Sequence, residues 1–253
     1  MIQLRVGNSA VLINGQVVGD ANGCPRANLV RAFAGQPIVK DRRATVTFAV
    51  GIALEGIAFK WLQEQYGENI RSDVEMSEEI IDGVTMTGHC DFLLKRNDCF
   101  LPTEHKSISS ADVAKKVLLD GKYKPNNLAQ LCHYMLICEA TEGTLLYTSA
   151  TYTKGVMAGD QRAFAVKFHD TGAVTVDGEN APFLVTDLLD WRIYMAETVK
   201  RKHLDSPPKQ WDGIFSPCNG CWLKETCESY DANGEDKEFW EGVEEILNRE
   251  GRR

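Results

Sequence analysis

No apolar run in the 253-residue chain reaches the ~18 residues that a membrane-spanning helix needs, so the sequence reads as one without a membrane partner. The opening stretch MIQLRVGNSAVLING has one early positive charge, and polar residues interrupt its apolar ones; it does not read as a secretion signal. A reducing, cytoplasmic setting is the expectation. Neither an internal repeat nor a low-complexity tract is present, which sets aside repeat architectures. Excess positive charge is missing too: the formal net charge is −8, which on its face argues against a nucleic-acid partner. The distribution argues otherwise. Residues 225–250 hold ten acidic and two basic residues, so the body of the chain is nearly neutral. Residues 106–124 are locally basic through Lys106, Lys115, Lys116, Lys122 and Lys124. That is either a phosphate-facing patch or a solvated helix face.

A hydrophobic content of 43% is enough for a real core, and the length suits one large domain or a domain with an appendage. Weak alternation over 2–19 around Asn14-Gly15 predicts a β-hairpin. Pro25 and a glycine just past the end predict a short helix over 25–34. A helix is predicted within 46–66, with an apolar stripe of Leu54, Ile57, Ala58 and Trp61. Glu55 falls on the adjoining stripe with Phe59, Leu62 and Tyr66; it is either an edge residue or an acidic group approaching a metal. The acidic residues 70–83 read as a surface loop or short helix. Helices are expected from Ser109-Ser110 to Gly121, from Asn127, over 183–204 and over 235–248, with strands at 144–153 and 162–169.

The most informative stretch is GHCDFLLKRNDCFLPTEHK, from Gly88 to Lys106. It reads as two strands joined at Asn97-Asp98. If Arg96 pairs with Cys99, Asp91 falls opposite Glu104, and the period of two puts Lys106 on the same face. Two carboxylates so placed repel unless a cation or proton lies between them. Mg²⁺ or Mn²⁺ is the natural occupant, and a lysine beside it suits hydrolysis of a phosphodiester. The plainer reading is a solvated polar hairpin face. Pro102 marks an edge or a bulge that would shift this register. Further on, Gln130 and Tyr134 stand four apart on one helix face.

Near the end, Cys218, Cys221 and Cys227 form a chelating loop that lacks one ligand. Either Zn²⁺ or an iron–sulfur cluster would accept it. On spacing alone the fourth ligand is open between Cys24 and His203. Cys90, Cys99, Cys132 and Cys138 read as core residues.

Taken together, these pieces resemble the PD-(D/E)XK nuclease superfamily in its RecB-like branch with an iron–sulfur cluster, and among its members the CRISPR-associated RecB-like exonucleases. Gly88-His-Cys-Asp91 resembles the aspartate motif, Glu104-His105-Lys106 the ExK motif, and Gln130-Leu-Cys-His-Tyr134 the QxxxY motif. Cys24 resembles the lone N-terminal cluster cysteine, and Cys218, Cys221 and Cys227 the C-terminal three. The resemblance runs from Cys24 to Cys227. It implies an α/β fold, a central mixed β-sheet flanked by helices, with a C-terminal cysteine-cluster region. It divides the chain into an N-terminal hairpin (1–23), a nuclease core (24–205) and a cluster segment with an acidic helix (206–253).

The implied activity is metal-dependent hydrolysis of DNA, favouring exonucleolytic action on single strands or DNA ends. Asp91, Glu104 and the backbone carbonyl of His105 would hold Mg²⁺ or Mn²⁺. Lys106 would position or activate the water, and Gln130 and Tyr134 would orient the DNA backbone or support Lys106. The cofactor implied by the cysteines is a 4Fe-4S cluster, with structural Zn²⁺ as the alternative. One departure stands out: the branch commonly carries a metal-binding histidine on the helix before the aspartate motif, and here none precedes His89, which leaves Glu55 as the candidate there. The rival of a different class is a non-catalytic DNA-binding or assembly protein. Protein partners and self-association are left open.

Overall fold

The computed structural model describes residues 2–8, 11–13, 16–18, 26–27, 30, 32, 42–96, 99–201, 223–233 and 236–250. In chain order the elements are β1 (Ile2–Arg5), β2 (Val11–Ile13), β3 (Gln16–Val18), α1 (Arg42–Tyr66), β4 (Ile70–Ile81), β5 (Val84–Arg96), β6 (Cys99–Ile108) and α2 (Ala111–Ala114). Then follow α3 (Pro125–Ile137), β7 (Glu142–Ser149), β8 (Gln161–Phe168), β9 (Ala173–Val176), β10 (Glu179–Leu184), α4 (Val185–Arg201), α5 (Lys224–Asn233) and α6 (Asp236–Glu250). Eight strands make one mixed sheet and β2 pairs with β3, so the expected α/β architecture is observed. The hairpin read over 2–19 is narrower than expected: β1 leaves it and joins the main sheet parallel to β5.

The central strand β5 has an unusual edge. One side pairs with β4 along nearly its whole length. The other side is shared: β1 pairs with Val84–Thr87, and β6 pairs from Phe92 to Arg96. Residues 88–91 lie between them with no strand alongside. Beyond β6 the sheet continues through β7, parallel to it, and then through antiparallel β8, β9 and β10.

Side-chain alternation assigns the faces. Leu145 and Tyr147 of β7 pack with Leu128, Leu131 and Cys132 of α3, whereas Leu146 between them packs with Ala58 and Leu62 of α1. Since β6 is in register with β7, Glu104 and Lys106 face α3 and His105 faces α1. A third cluster joins Trp191, Met195 and Val199 of α4 to Leu4, Val84, Met86, Cys90 and Tyr134, with Ala27, Val30, Leu223, Phe239 and Val243. The four described residues of 25–34 are helical, as expected, and include core positions.

Several expectations are corrected. Residues 70–81 are not a loop or helix but the strand β4, because Ile70 and Met76 reach the core while the acidic residues between them face outward. The buried side of α1 lies between the two stripes: Ala58 of the expected one and Leu62 of the adjoining one are covered, whereas Ile57 is 53% and Trp61 40% exposed. Val46–Asn69 is long and apolar enough, by length and composition, to cross a membrane, which the reading by uninterrupted runs overlooked. Cys99 is exposed, while Cys90 and Cys132 are buried as expected. The Ser110 cap is present, with its Oγ accepting from the Val113 N–H, but the helix it opens passes into a π turn over Lys115–Leu119.

Gly88 shows why the open edge of β5 has its sequence. A Cβ there would stand 2.8 Å from Tyr134 Oη and 2.9 Å from Val6 Cβ. The backbone must come this close for α3 to close the gap between β1 and β6. Gly88→Ala is therefore expected to destabilise the fold by about 1–3 kcal/mol, as overpacking of a filled position does. A urea denaturation midpoint equal to that of the wild type would contradict this.

Candidate active site

The unpaired length of β5 is where the expected site residues gather. The observed pairs Arg96↔Cys99 and Phe92↔Thr103 confirm the expected register, and Pro102 pairs with Leu93 without shifting it. Pro102 is tolerated because β7 pairs with β6 only from Thr103 onward, so at Pro102 the strand is an edge. One step further, the same count sets Asp91 opposite Glu104. At this point the alternation of β5 slips: Cys90 and Leu93 share one cluster, while Phe92 and Leu94 belong to that of α1. The neighbouring strand is irregular at the matching position. Asp73, between Ser72 (opposite Phe92) and Val74 (opposite Cys90), has φ +50°.

Backbone groups freed by this irregularity are met by side chains. The His105 N–H donates to Asp91 Oδ2 at 2.7 Å. The Tyr134 hydroxyl donates to the His89 carbonyl at 2.7 Å, and Gln130 hydrogen-bonds Tyr134 in turn. The Cys90 thiol donates to the Phe92 carbonyl at 3.1 Å. The glutamine–tyrosine pair on α3 therefore holds the strand that carries Asp91. This differs from the expected support of Lys106.

Glu104 is 1% exposed, and its Oε1 accepts a short hydrogen bond from Lys106 Nζ. Its Oε2 is buried with no hydrogen-bond partner. Burial, with Asp91 adding to it, pushes the Glu104 carboxyl up to about 8 despite the opposing pull of Lys106. Asp91 is likewise raised by burial, against the pull of Lys106 and the His105 N–H. For Lys106, burial works against the charge, but Glu104 and Asp91 outweigh it and hold the ammonium above its ordinary range. Glu55 reaches this group from α1: burial first, then Asp91 and Asp73, raise its carboxyl. The His105 ring faces away, with Nε2 2.9 Å from Thr148 Oγ1, and burial lowers it to about 4. Its imidazole is therefore neutral near pH 7, and only its backbone belongs to the site.

The structure thus brings Asp91, Glu104 and Lys106 together, with Gln130 and Tyr134 behind them and Glu55 within electrostatic reach. Sequence reasoning missed Asp73, whose Oδ1 lies 2.9 Å from His89 Nδ1 and whose charge bears on both Glu55 and Asp91. Nothing in the sequence around Asp73 marks it. Cys24, Cys218, Cys221 and His203 lie outside the described residues; Cys227 is half-buried at the start of α5.

Among the described residues no three His, Cys, Asp or Glu side chains converge into a ready metal cage. Each main carboxylate instead directs one oxygen to a neighbour, Asp91 to His105 and Glu104 to Lys106. The residues nonetheless fit a divalent cation. An orphaned buried carboxylate oxygen within electrostatic reach of two further carboxylates is what a hard, oxygen-seeking ion satisfies.

No family model and no curated protein matches the sequence. Solved structures that share the fold include two exonucleases. One is an alkaline exonuclease from Laribacter hongkongensis, with TM-score 0.55 and 13% identity over 79% of this chain and 89% of that one. The other is a phage-related exonuclease from Haemophilus somnus, with TM-score 0.52 and 12% identity over 79% of this chain and 94% of that one. This chain has the fold of these exonucleases.

The raised Glu104 carboxyl sets a pH dependence. Between its ordinary value of 4.5 and about 8, the folded protein holds a proton that the unfolded chain has released. Stability of the metal-free protein should therefore fall as pH rises through that window, and this contribution should level off above it. Glu104→Gln should remove that slope and leave the variant more stable than wild type at pH 8. Parallel stability–pH curves for the two proteins would show that Glu104 is not held protonated.

Proposed function

We propose that the chain is a metal-dependent DNA nuclease using Mg²⁺ or Mn²⁺, acting as an exonuclease on single-stranded DNA or DNA ends. The observation that carries this reading is the buried Glu104 carboxylate, half satisfied by Lys106 and adjoining Asp91, on a fold shared with exonucleases. A structural ion pair would satisfy both oxygens. Asp91, Glu104 and the His105 carbonyl would hold the ion, with Glu55 contributing from α1. When bound, the ion supplies Lewis acidity and lowers the pKa of water.

The chain's own residues set up the rest. Tyr134 and Gln130 fix the His89 carbonyl and so the position of Asp91. Lys106, held charged by the two carboxylates, orients the attacking water and offsets charge developing on the phosphate. The test is cleavage of end-labelled single- and double-stranded DNA with and without Mg²⁺ or Mn²⁺. Asp91→Asn, Glu104→Gln and Lys106→Ala should each lower the rate by at least about 100-fold. DNA binding without cleavage by the wild type, under every metal condition, would favour the non-catalytic rival.

We also propose that Cys24, Cys218, Cys221 and Cys227 hold a structural 4Fe-4S cluster, with zinc as the alternative. The support is that the segments next to these cysteines meet in one core cluster: Ala27 and Val30 follow Cys24, Leu223 follows Cys221, and Cys227 packs against the same group. Metal bound only by the folded chain adds its binding free energy to folding. After anaerobic purification, Cys24→Ala and Cys221→Ala should both lose iron, while Cys132→Ala, with its buried thiol, keeps it. Full iron in Cys24→Ala would remove Cys24 from the ligand set and make His203 the candidate.

A further inference from the structure

The stripe of α1 that carries Glu55 crosses three environments. Leu62 is buried and Phe59 half-buried, both packed with Phe92 and Leu94. Glu55 follows one turn earlier, half-buried and within electrostatic reach of Asp91. Phe48 lies two turns before Glu55, within about 20° of it around the helix at ~100° per residue. It shares the side that faces the core lower down, yet it is 73% exposed, and Ile52 between them is 56% exposed.

The reason is the length of the sheet beneath. Helix α1 runs antiparallel to β6: Phe59 packs near Leu101, and a Cβ on Gly51 would lie 3.5 Å from Ser107 Oγ. Strand β6 ends one residue later, at Ile108. Phe48, about 4.5 Å further along the helix axis, overhangs the end of the strand. Phe48 therefore stands exposed beyond the end of β6, two turns from Glu55 and on the same side of the helix.

A second observation concerns charge. The chain leaving β6 displays Lys115, Lys116, Lys122 and Lys124 within a short span, and none of the four forms an ion pair among the described residues. Lysines without an ion pair among the described residues, on the segment that follows β6, and an exposed aromatic past that strand's end suit a ligand with negative charges along its backbone and flat apolar faces. A single nucleic-acid strand has both.

We propose that Phe48, with Ile52 beside it, is a stacking ledge for an unpaired base of the strand whose phosphate lies at Asp91, Glu104 and Lys106. This rests on the nuclease reading and specifies how the substrate is gripped without regard to sequence. The test measures binding of oligothymidylate carrying one 2-aminopurine, without divalent metal, together with steady-state cleavage of single-stranded DNA. Phe48→Ala should raise Kd and KM about tenfold with little change in kcat and lose the quenching of 2-aminopurine that stacking produces. Phe48→Trp should restore all three readouts. Ile57→Ala, on the outward side of the same helix, should behave as wild type.

If the wild type cleaves DNA and Phe48→Ala matches it in Kd and KM, the ledge is wrong while the nuclease reading stands. Equal losses in Phe48→Ala and Ile57→Ala, with a lower mass by light scattering, would make this face an interface between copies of the chain and overturn the ledge. A wild type that neither binds nor cleaves DNA overturns both readings before any variant is made.

Discussion

The site depends on a stretch of β5 that has no strand on one side. Strand β1 covers that edge up to Thr87 and β6 begins pairing at Phe92, so the backbone of residues 88–91 must find partners elsewhere. Buried peptide groups left unpaired cost too much to tolerate, and here side chains supply the missing bonds. Tyr134 meets the His89 carbonyl, and Asp91 meets the His105 N–H. The same lack of a neighbouring strand lets a carboxylate on β5 point across at one on β6. An unbroken ladder through this region would bury the two strands against each other and leave no room for an ion. The gap is therefore both the structural problem that α3 solves and the opening in which Asp91 and Glu104 meet.

The electrostatics follow from that placement. Glu104 is buried on the α3 face, where desolvation opposes its charge more strongly than Lys106 favours it. Lys106 keeps its charge because two carboxylates stand by it. The set carries a proton and an orphaned oxygen that a divalent ion would displace and satisfy. His105 illustrates the alternation of the strand. Its side chain belongs to the α1 face, neutral and bonded to Thr148, although it sits between two residues of the site.

How far the sequence disclosed all this depended on the physics behind each signal. The β5–β6 hairpin was legible because a two-residue loop fixes register and the period of two fixes faces, so Asp91, Glu104 and Lys106 could be grouped by counting. Gln130 and Tyr134 were legible as a pair, but their role was not. It comes from the gap between β1 and β6, and the pairing of β1 with β5 across about eighty residues is not encoded locally. Strand β4 was misread because its acidic residues hide the spacing of Ile70 and Met76. Asp73 was invisible for a related reason: its importance comes from a left-handed backbone opposite Asp91, a tertiary feature with no sequence mark. The apolar stripe of α1 was read correctly at Ala58 but rotated too far, because hydrophobicity alone favoured Ile57 and Trp61, whereas packing against the sheet selects Ala58 and Leu62.

That choice of side links the core to the site. Two stripes of α1 are apolar, and the side that faces the sheet lies between them. The helix half-buries Glu55 on that side, although a charged residue there is costly and the stripe of Ile57 and Trp61 is free of charge. Composition alone would favour the other rotation. Phe59 and Leu62 anchor the observed rotation over Phe92 and Leu94, and the cost of bringing in Glu55 is limited because it lies at the open end, half-buried and within electrostatic reach of Lys106. The result is a helix whose lower half stabilises the sheet and whose upper half holds Glu55 within electrostatic reach of Asp91 and Lys106. Helix α1 begins at Arg42, about two and a half turns before Gly51 meets the last residues of β6, so its first turns lie beyond the strand that its lower half covers.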